Sequence, residues 1–245
     1  MTDELGSVSI GFLGMGIMGS PMAQNLLKAG YKSSPEEVTA ACDLTFAMLA
    51  DPESAIDVAC GKNGAVSGIS SGKGYVDVST VDAASSILIS KQIKDTGALF
   101  LEAPVSGSKK PAEDGQLIFL TADSPVSFNL GSMMASFAEG ILLSQKVGLD
   151  PNVMVEVVSQ GAINAPMYSL KGPSMIKSVY PTAFPLKHQQ KDMRLALGLA
   201  ESVSQSTPIA AAANELYKVA KSYGLSDEDF SAVIEALKAA RSQQS

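Results

Sequence analysis

The residues with the clearest chemical meaning stand near the start of the chain, in Gly14-Met15-Gly16-Ile17-Met18-Gly19. They are entered from the apolar run Val8-Ser9-Ile10-Gly11-Phe12-Leu13 and lead into Pro21-Met22-Ala23-Gln24-Asn25-Leu26-Leu27-Lys28-Ala29-Gly30, which has helical apolar spacing and closes on a glycine stop. Between a strand and a helix, three glycines at this spacing do separate jobs. The first permits a tight turn, the second lets backbone approach a pyrophosphate, and the third lets the helix lie against the strand. The pattern is that of a dinucleotide cradle, with the pyrophosphate on the amides of the helix N-terminus.

The elements that must position such a cradle follow in order. Ser34-Pro35-Glu36-Glu37 is a capping box that starts a helix to about Cys42, and Leu44-Thr45-Phe46-Ala47-Met48-Leu49 reads as a buried strand. Asp51-Pro52-Glu53 caps a further helix, Tyr75-Val76-Asp77-Val78-Ser79 is the next strand, and a helix runs from about Asp82 to Lys94. Ala98-Leu99-Phe100-Leu101 and Leu117-Ile118-Phe119-Leu120 complete the strands. Alternation of this kind predicts a parallel sheet covered on both faces. From about Leu130 strand signals stop, and Met133, Phe137, Ile141 and Leu142 recur at helical spacing. The expected fold is therefore α/β: a Rossmann-like dinucleotide-binding domain over residues 1–124, followed by an all-α domain over residues 125–245.

Composition narrows the function classes. The 245 residues are 46% hydrophobic and 18% charged, enough to bury the core of one large or two modest domains. A net charge of -7 argues against a nucleic-acid face, and Lys109-Lys110 is too short a basic run to make one. Cys42, Cys60 and the single histidine His188 make neither a disulfide framework nor a metal site, so a reducing compartment is expected. No run approaches the roughly 18 apolar residues of a membrane span. The acidic start Met1-Thr2-Asp3-Glu4 is unlike a transit or secretory signal, which predicts a cytoplasmic protein or a mature chloroplast or mitochondrial form.

Four motifs in order resemble the β-hydroxyacid dehydrogenase superfamily, and within it the plant glyoxylate/succinic semialdehyde reductases. They are Gly11 through Gly19 with Pro21-Met22-Ala23 and Asn25; Asp77-Val78-Ser79-Thr80-Val81-Asp82; Ala103-Pro104-Val105-Ser106-Gly107-Ser108; and Phe184-Pro185-Leu186-Lys187-His188-Gln189-Gln190-Lys191-Asp192-Met193. The resemblance implies NADPH-dependent reduction of a small aldehyde acid, with NADH as the alternative cofactor, and a homo-oligomer formed through the helical domain. It also implies residue roles. Gly14, Met15, Gly16, Ile17, Met18 and Gly19 would hold the pyrophosphate, Met48 and Leu49 would line the cofactor cleft, and Thr80 would approach the nicotinamide. Ser106, Gly107 and Ser108 would bind the substrate carboxylate through hydroxyls and backbone amides. Lys191 would reach the cofactor from the helical domain, and Phe184 and Asp192, with Ser106, would shape the reacting site. Residue by residue the alternatives are plain: Met48-Leu49 as the end of a core strand, Thr80 as a helix cap, Asp192 as a solvated helix charge.

The chain departs from the family pattern twice. At Tyr31 the family continues into a second strand that reads the ribose and its 2′-phosphate, whereas here Gly30-Tyr31-Lys32 runs into the helix cap at Ser34. Two successive helices with no strand between them are not what a βαβ unit expects. The acidic or basic selector position falls among Glu36 and Glu37, and no arginine precedes Arg194. The second departure lies between Ala122 and Leu130, where the family's catalytic lysine precedes an asparagine by four residues. Here Asn129 can stand for that asparagine, and four residues before it is Pro125. The missing blocks amount to roughly 20 residues and about twice that, one or two supersecondary units each. Removal of a central strand is expected to expose ladder groups and reduce stability. Lys109 and Lys110 read as solvated loop charges, and His188 is the remaining candidate acid. Two functions follow: a reductase of glyoxylate and succinic semialdehyde, or a non-catalytic variant that pairs with full-length subunits. The pairing surface would be Leu195, Leu197 and Leu199 near Ala210-Ala211-Ala212-Ala213.

Overall fold

The computed structural model describes residues 8–26, 34–107, 109–119 and 126–239. Gly30, the Tyr31 junction, Ser108 and Pro125 lie outside them. By its internal contacts the chain divides into two units, residues 1–124 and 125–245.

In the first unit β1 (Ile10–Leu13) leads to α1 (Gly19–Leu26) and α2 (Pro35–Ala41), and β2 (Leu44–Ala47) to α3 (Pro52–Cys60) and α4 (Ala65–Gly68). Then come β3 (Gly74–Asp77), α5 (Ala83–Asp95) and β4 (Leu99–Glu102). The helix starts are fixed by short side chains that accept otherwise unpaired amides: Ser34 from Glu37, Asp51 from Ser54 and Asp82 from Ser85. The four strands pair in parallel in the order β1-β2-β3-β4. Side-chain alternation then builds two apolar layers. Leu13, Ala47 and Tyr75 pack with Ala55, Ala59, Ile89 and Ile93 on one face. Phe12, Phe46 and Val76 pack with Met22 of α1 on the other.

Two expectations need correction. Two helices in succession do not prevent parallel pairing, since β1 and β2 pair residue by residue from Ile10↔Leu44 to Leu13↔Ala47. Met22 of α1 joins the layer around Phe12, while Val38 of α2 joins the layer around Leu13. Met22 and Val38 thus lie in different layers, and β1 is the outermost strand of this sheet among the described residues. The loss is therefore felt at an edge and leaves no gap inside the sheet. Secondly, Ile118–Phe119 is not a further parallel strand. It forms β6, antiparallel to β5 (Val105–Ser106), with the short α6 (Lys109–Glu113) between them. That connection is too short for a parallel crossover, which needs a dozen or more residues. Both outer strands of the main sheet carry exposed apolar side chains, Ile10 on β1 and Leu99 and Leu101 on β4, in place of the charges that usually blunt an edge.

The elements of the second unit are helices: α7 (Val126–Lys146), α8 (Pro151–Gln160), α9 (Pro166–Lys177), α10 (Leu186–Ser202), α11 (Pro208–Ser222), a 3-10 turn (Phe230–Val233) and α12 (Ile234–Ala239), with one antiparallel bridge between Pro185 and Asp229. Its core joins Met134, Phe137 and Ile141 of α7 to Met193, Tyr217 and Ile234. Gly131 lets α7 and α10 approach closely, for a Cβ there would lie 2.3 Å from the Met193 sulfur. A buried Lys171–Asp229 ion pair of 2.8 Å ties α9 to the loop before the 3-10 turn. Asp229 also accepts the amides of Ala183, Phe184 and Ser231, so its charge is fully partnered.

Candidate cofactor and substrate site

The last rung of the parallel sheet is Leu13↔Ala47↔Asp77↔Glu102. The described candidate residues of the first unit all follow this rung along the chain: the glycine turn after β1, Met48 and Leu49 after β2, Thr80 shortly after β3, and Ser106 and Gly107 beyond β4, on and just after β5. The carboxyl end of a parallel sheet is where open α/β folds bind ligands, because the loops there converge and helix N-termini face them.

The three glycines are not equivalent. Gly14 has φ +90°, and a Cβ on it would fall 2.2 Å from the Met48 carbonyl oxygen. A Cβ on Gly19 would fall 1.8 Å from the Gly14 carbonyl oxygen and 3.1 Å from the Phe12 ring. These two positions are closed by the protein's own backbone. A Cβ on Gly16 would meet nothing within 4 Å. Its bareness leaves space that the fold itself does not use, which fits a pyrophosphate seated against the main chain. Met15 and Ile17 flank that space and are exposed, and the Ser20 hydroxyl closes the turn by donating to the Met15 carbonyl at 2.6 Å.

Met48 and Leu49 follow directly on the end of β2 and pack, partly buried, against the two apolar layers of the sheet. The Met48 amide donates to the Leu13 carbonyl at 2.9 Å, and the Leu49 amide to the Ser79 hydroxyl at 3.0 Å. Thr80 is half-buried and is not the cap of α5, since Asp82 fills that role. Ser106 sits on β5. Gly107 follows with φ +143°, and a Cβ there would fall 2.5 Å from Leu117. Lys109 and Lys110 are exposed and pair one turn on with Glu113 and Asp114. Glu36 and Glu37 occupy the first turn of α2, where they complement the helix dipole.

In the second unit Phe184 precedes α10, which carries His188, Lys191 and Asp192. The Phe184 ring lies 6.3 Å from His188 and 6.0 Å, edge-on, from Phe230. Lys191 Nζ is 2.8 Å from Asp192 Oδ1, with both side chains largely withdrawn from solvent. Asp192 is therefore no solvated helix charge. Asn129 is exposed in the first turn of α7. A cleft lined by Tyr180, Tyr223, Glu228 and Lys238 contains none of the candidate residues.

Asp77 and Ser79 belong to a motif that states no role for either, and Lys171 and Asp229 belong to no motif. Asp77 was visible as a carboxylate ending an apolar strand. The Lys171–Asp229 pair joins positions 58 apart and left no local signal. Burial pushes the Asp77 carboxyl above its ordinary value, the Ser79 bonds oppose this, and the Glu102 charge adds to it. A raised carboxyl binds its proton more tightly when folded. Its stabilisation is present below the ordinary carboxylate range and is lost as pH rises through the folded value. Asp77→Asn keeps an oxygen for the Ser79 amide and removes the buried charge. The variant is expected to melt no lower than the parent at neutral pH and to show a flatter stability profile from acid to neutral, read by circular dichroism melts across pH.

A parallel sheet with a glycine cradle after its first strand, followed by a helical unit, defines a Rossmann-type NAD(P)-binding dehydrogenase. Residues 9–34 and 31–144 match the family model described as the NAD binding domain of 6-phosphogluconate dehydrogenase. Residues 128–237 match that described as NAD-binding of NADP-dependent 3-hydroxyisobutyrate dehydrogenase. The first match divides at residues 31–34, where the Tyr31 junction falls. The chain belongs to the β-hydroxyacid dehydrogenase family. It is 77% identical to glyoxylate/succinic semialdehyde reductase 2, chloroplastic, of Arabidopsis thaliana, over 296 positions that cover 99% of this chain and 83% of the relative. Those positions outnumber the chain's own 245 residues, so the relative carries segments inside the match that this chain lacks. It is also 37% identical to the cytokine-like nuclear factor N-PAC of Mus musculus, covering 93% of this chain and 50% of that protein. Among solved structures, 3-hydroxyisobutyrate dehydrogenase from Salmonella typhimurium has the same fold, with a TM-score of 0.82 at 20% identity over 92% of this chain and 98% of that one.

Proposed function

We propose that the chain binds NADPH in the first unit and reduces glyoxylate and succinic semialdehyde to glycolate and 4-hydroxybutyrate, slowly. The observation that carries this reading is the single rung of strand ends from which all first-unit candidates follow, with Gly16 bare above it. In this reading residues 1–124 form the cofactor domain and residues 125–245 the helical dehydrogenase domain. NADPH supplies a hydride to the substrate carbonyl. Ser106 and Gly107 would offer a hydroxyl and an amide to its carboxylate, Lys191 would hold the cofactor, and Phe184 and Asp192 would shape the reacting site. The Arabidopsis relative's name supports the chloroplast alternative over a cytoplasmic location. The test is NADPH oxidation by the purified chain alone with each aldehyde acid. Slow, saturable oxidation is expected, and none above the buffer rate would contradict the enzyme reading.

A second reading, a non-catalytic chain that pairs with full-length subunits or itself, is favoured by a specific surface. Leu143 in the last turn of α7, Val147 just past its end, and Val153 and Val157 on α8 are each more than half exposed. Ala210 and Ala213, in contrast, are buried within the unit, and Leu197 packs on its core. Leu199, Ala211 and Ala212 of the expected surface are exposed, and the apolar stripe stands beside them as a second candidate pairing surface. Val147→Glu with Val153→Glu is expected to convert a dimer or larger species to a monomer by size-exclusion chromatography with light scattering. An unchanged mass would remove this surface from consideration.

A further inference from the structure

We propose that Ser79 is a positioning residue that holds the Met48–Leu49 turn, and through it the glycine cradle, in the shape that receives the cofactor. This inference rests on the NADPH-binding reading above.

The contacts form an unbroken chain from a buried carboxylate to the cradle. Asp77 ends β3 with only 1% of its surface exposed, and its Oδ1 accepts the Ser79 amide at 3.0 Å. That bond fixes the backbone just past the strand and sets the Ser79 hydroxyl against the neighbouring strand end. The hydroxyl accepts the Leu49 amide at 3.0 Å and lies 3.3 Å from the Ala47 carbonyl, to which it donates. One side chain thus binds both ends of the turn that carries Met48. The Val78 amide donates to the same Ala47 carbonyl at 2.9 Å, which locks β3 to β2 at this level. Met48 is held on its other side by its amide bond to the Leu13 carbonyl, and its own carbonyl lies directly under Gly14. A Cβ on Gly14 would fall 2.2 Å from that oxygen, so the turn and the cradle lie too close for any side chain between them.

Ser79 is itself only 1% exposed and both capacities of its hydroxyl are spent on protein partners, so its role is to place other groups. A hydroxyl suits the place because it donates and accepts at once, pairing the Leu49 amide and adding a second bond to the Ala47 carbonyl. Alanine would leave the half-buried Leu49 amide without its Ser79 partner and free the turn to shift.

Ser79→Ala is expected to weaken NADPH binding about tenfold, as the loss of one such bond implies. In the same variant hydrogen exchange at the Leu49 amide should quicken while Phe46, inside β2, keeps its protection. Ser79→Cys, nearly the same size but a weak acceptor, serves as the fold-preserving variant, with a smaller loss of affinity and the same local exchange signature. If the parent binds NADPH and both variants bind equally well, the proposal is overturned and the cofactor reading stands. If the parent does not bind NADPH, that reading falls and takes this proposal with it. An equal loss of protection across β2 and β3 would mark Ser79 as merely structural and would also overturn it.

Discussion

Gly16→Val is expected to leave the melt of the unliganded chain unchanged and to weaken NADPH binding at least about tenfold, whereas Gly19→Val is expected to abolish the cooperative melt. The two positions belong to one motif and differ only in what surrounds them. Around Gly16 there is open space, so a side chain there collides with nothing in the protein and only with what the cradle receives. Around Gly19 the first obstacle is the Gly14 carbonyl oxygen, 1.8 Å from a Cβ. That atom belongs to backbone and cannot rotate aside, so α1 would have to lift from the sheet and uncover Met22 and the layer it closes. Melts by circular dichroism and NADPH titrations on both variants would separate these effects. If the two variants behaved alike, the glycines would be only a turn and the cradle reading would fail.

The rate at which the chain reduces either aldehyde acid is expected to fall about 10²- to 10⁴-fold below that of the Arabidopsis reductase, with cofactor binding retained. Hydride transfer to a carbonyl builds negative charge on oxygen, and a positioned acid relieves it by giving up a proton. The family resemblance implies that this acid is a lysine at the start of the long helix. Here that helix is α7, beginning at Val126, and no lysine occurs between Lys110 and Lys146. Lys110 is paired with Asp114, and Lys146 closes the last turn of α7, twenty residues from its start. Restoring the relative's segment between Ala122 and Leu130 should return the rate. Parallel steady-state assays of parent, restored chain and Arabidopsis reductase would decide it. A parent rate equal to the reductase would mean another group gives the proton, with His188→Gln as the first variant to make.

The sequence showed most of what local chemistry dictates. Ser34, Asp51 and Asp82 cap their helices because short side-chain oxygens next to an apolar period have little else to do, and Gly14 and Gly19 are crowded as a cradle requires. The same local logic misread Leu117-Ile118-Phe119-Leu120. An apolar run states that a strand is present and leaves open which partner it takes, and α6 with its flanking turns was too short to permit a parallel one. It also took the succession of α1 and α2 as a break in the fold, because nothing local announces that a strand has become an edge. At the site, the exposed glycine turn and the Ser106-Gly107 loop were legible as motifs. Ser79 was not, since its hydroxyl acts across 30 positions on Leu49, and Asp229 acts across 58 on Lys171.

The central claim is that the cradle remains fit for its cofactor despite the two departures, and a thermal melt of the purified chain with and without NADPH tests it most directly. A ligand that binds only the folded state adds about 2.7 kcal/mol at a hundredfold excess over its Kd. For a protein of this size that corresponds to a rise of about 5–10 °C. A shift of that order in the parent, absent in Gly16→Val, is the expected result; a cooperative melt that NADPH does not move would contradict the account.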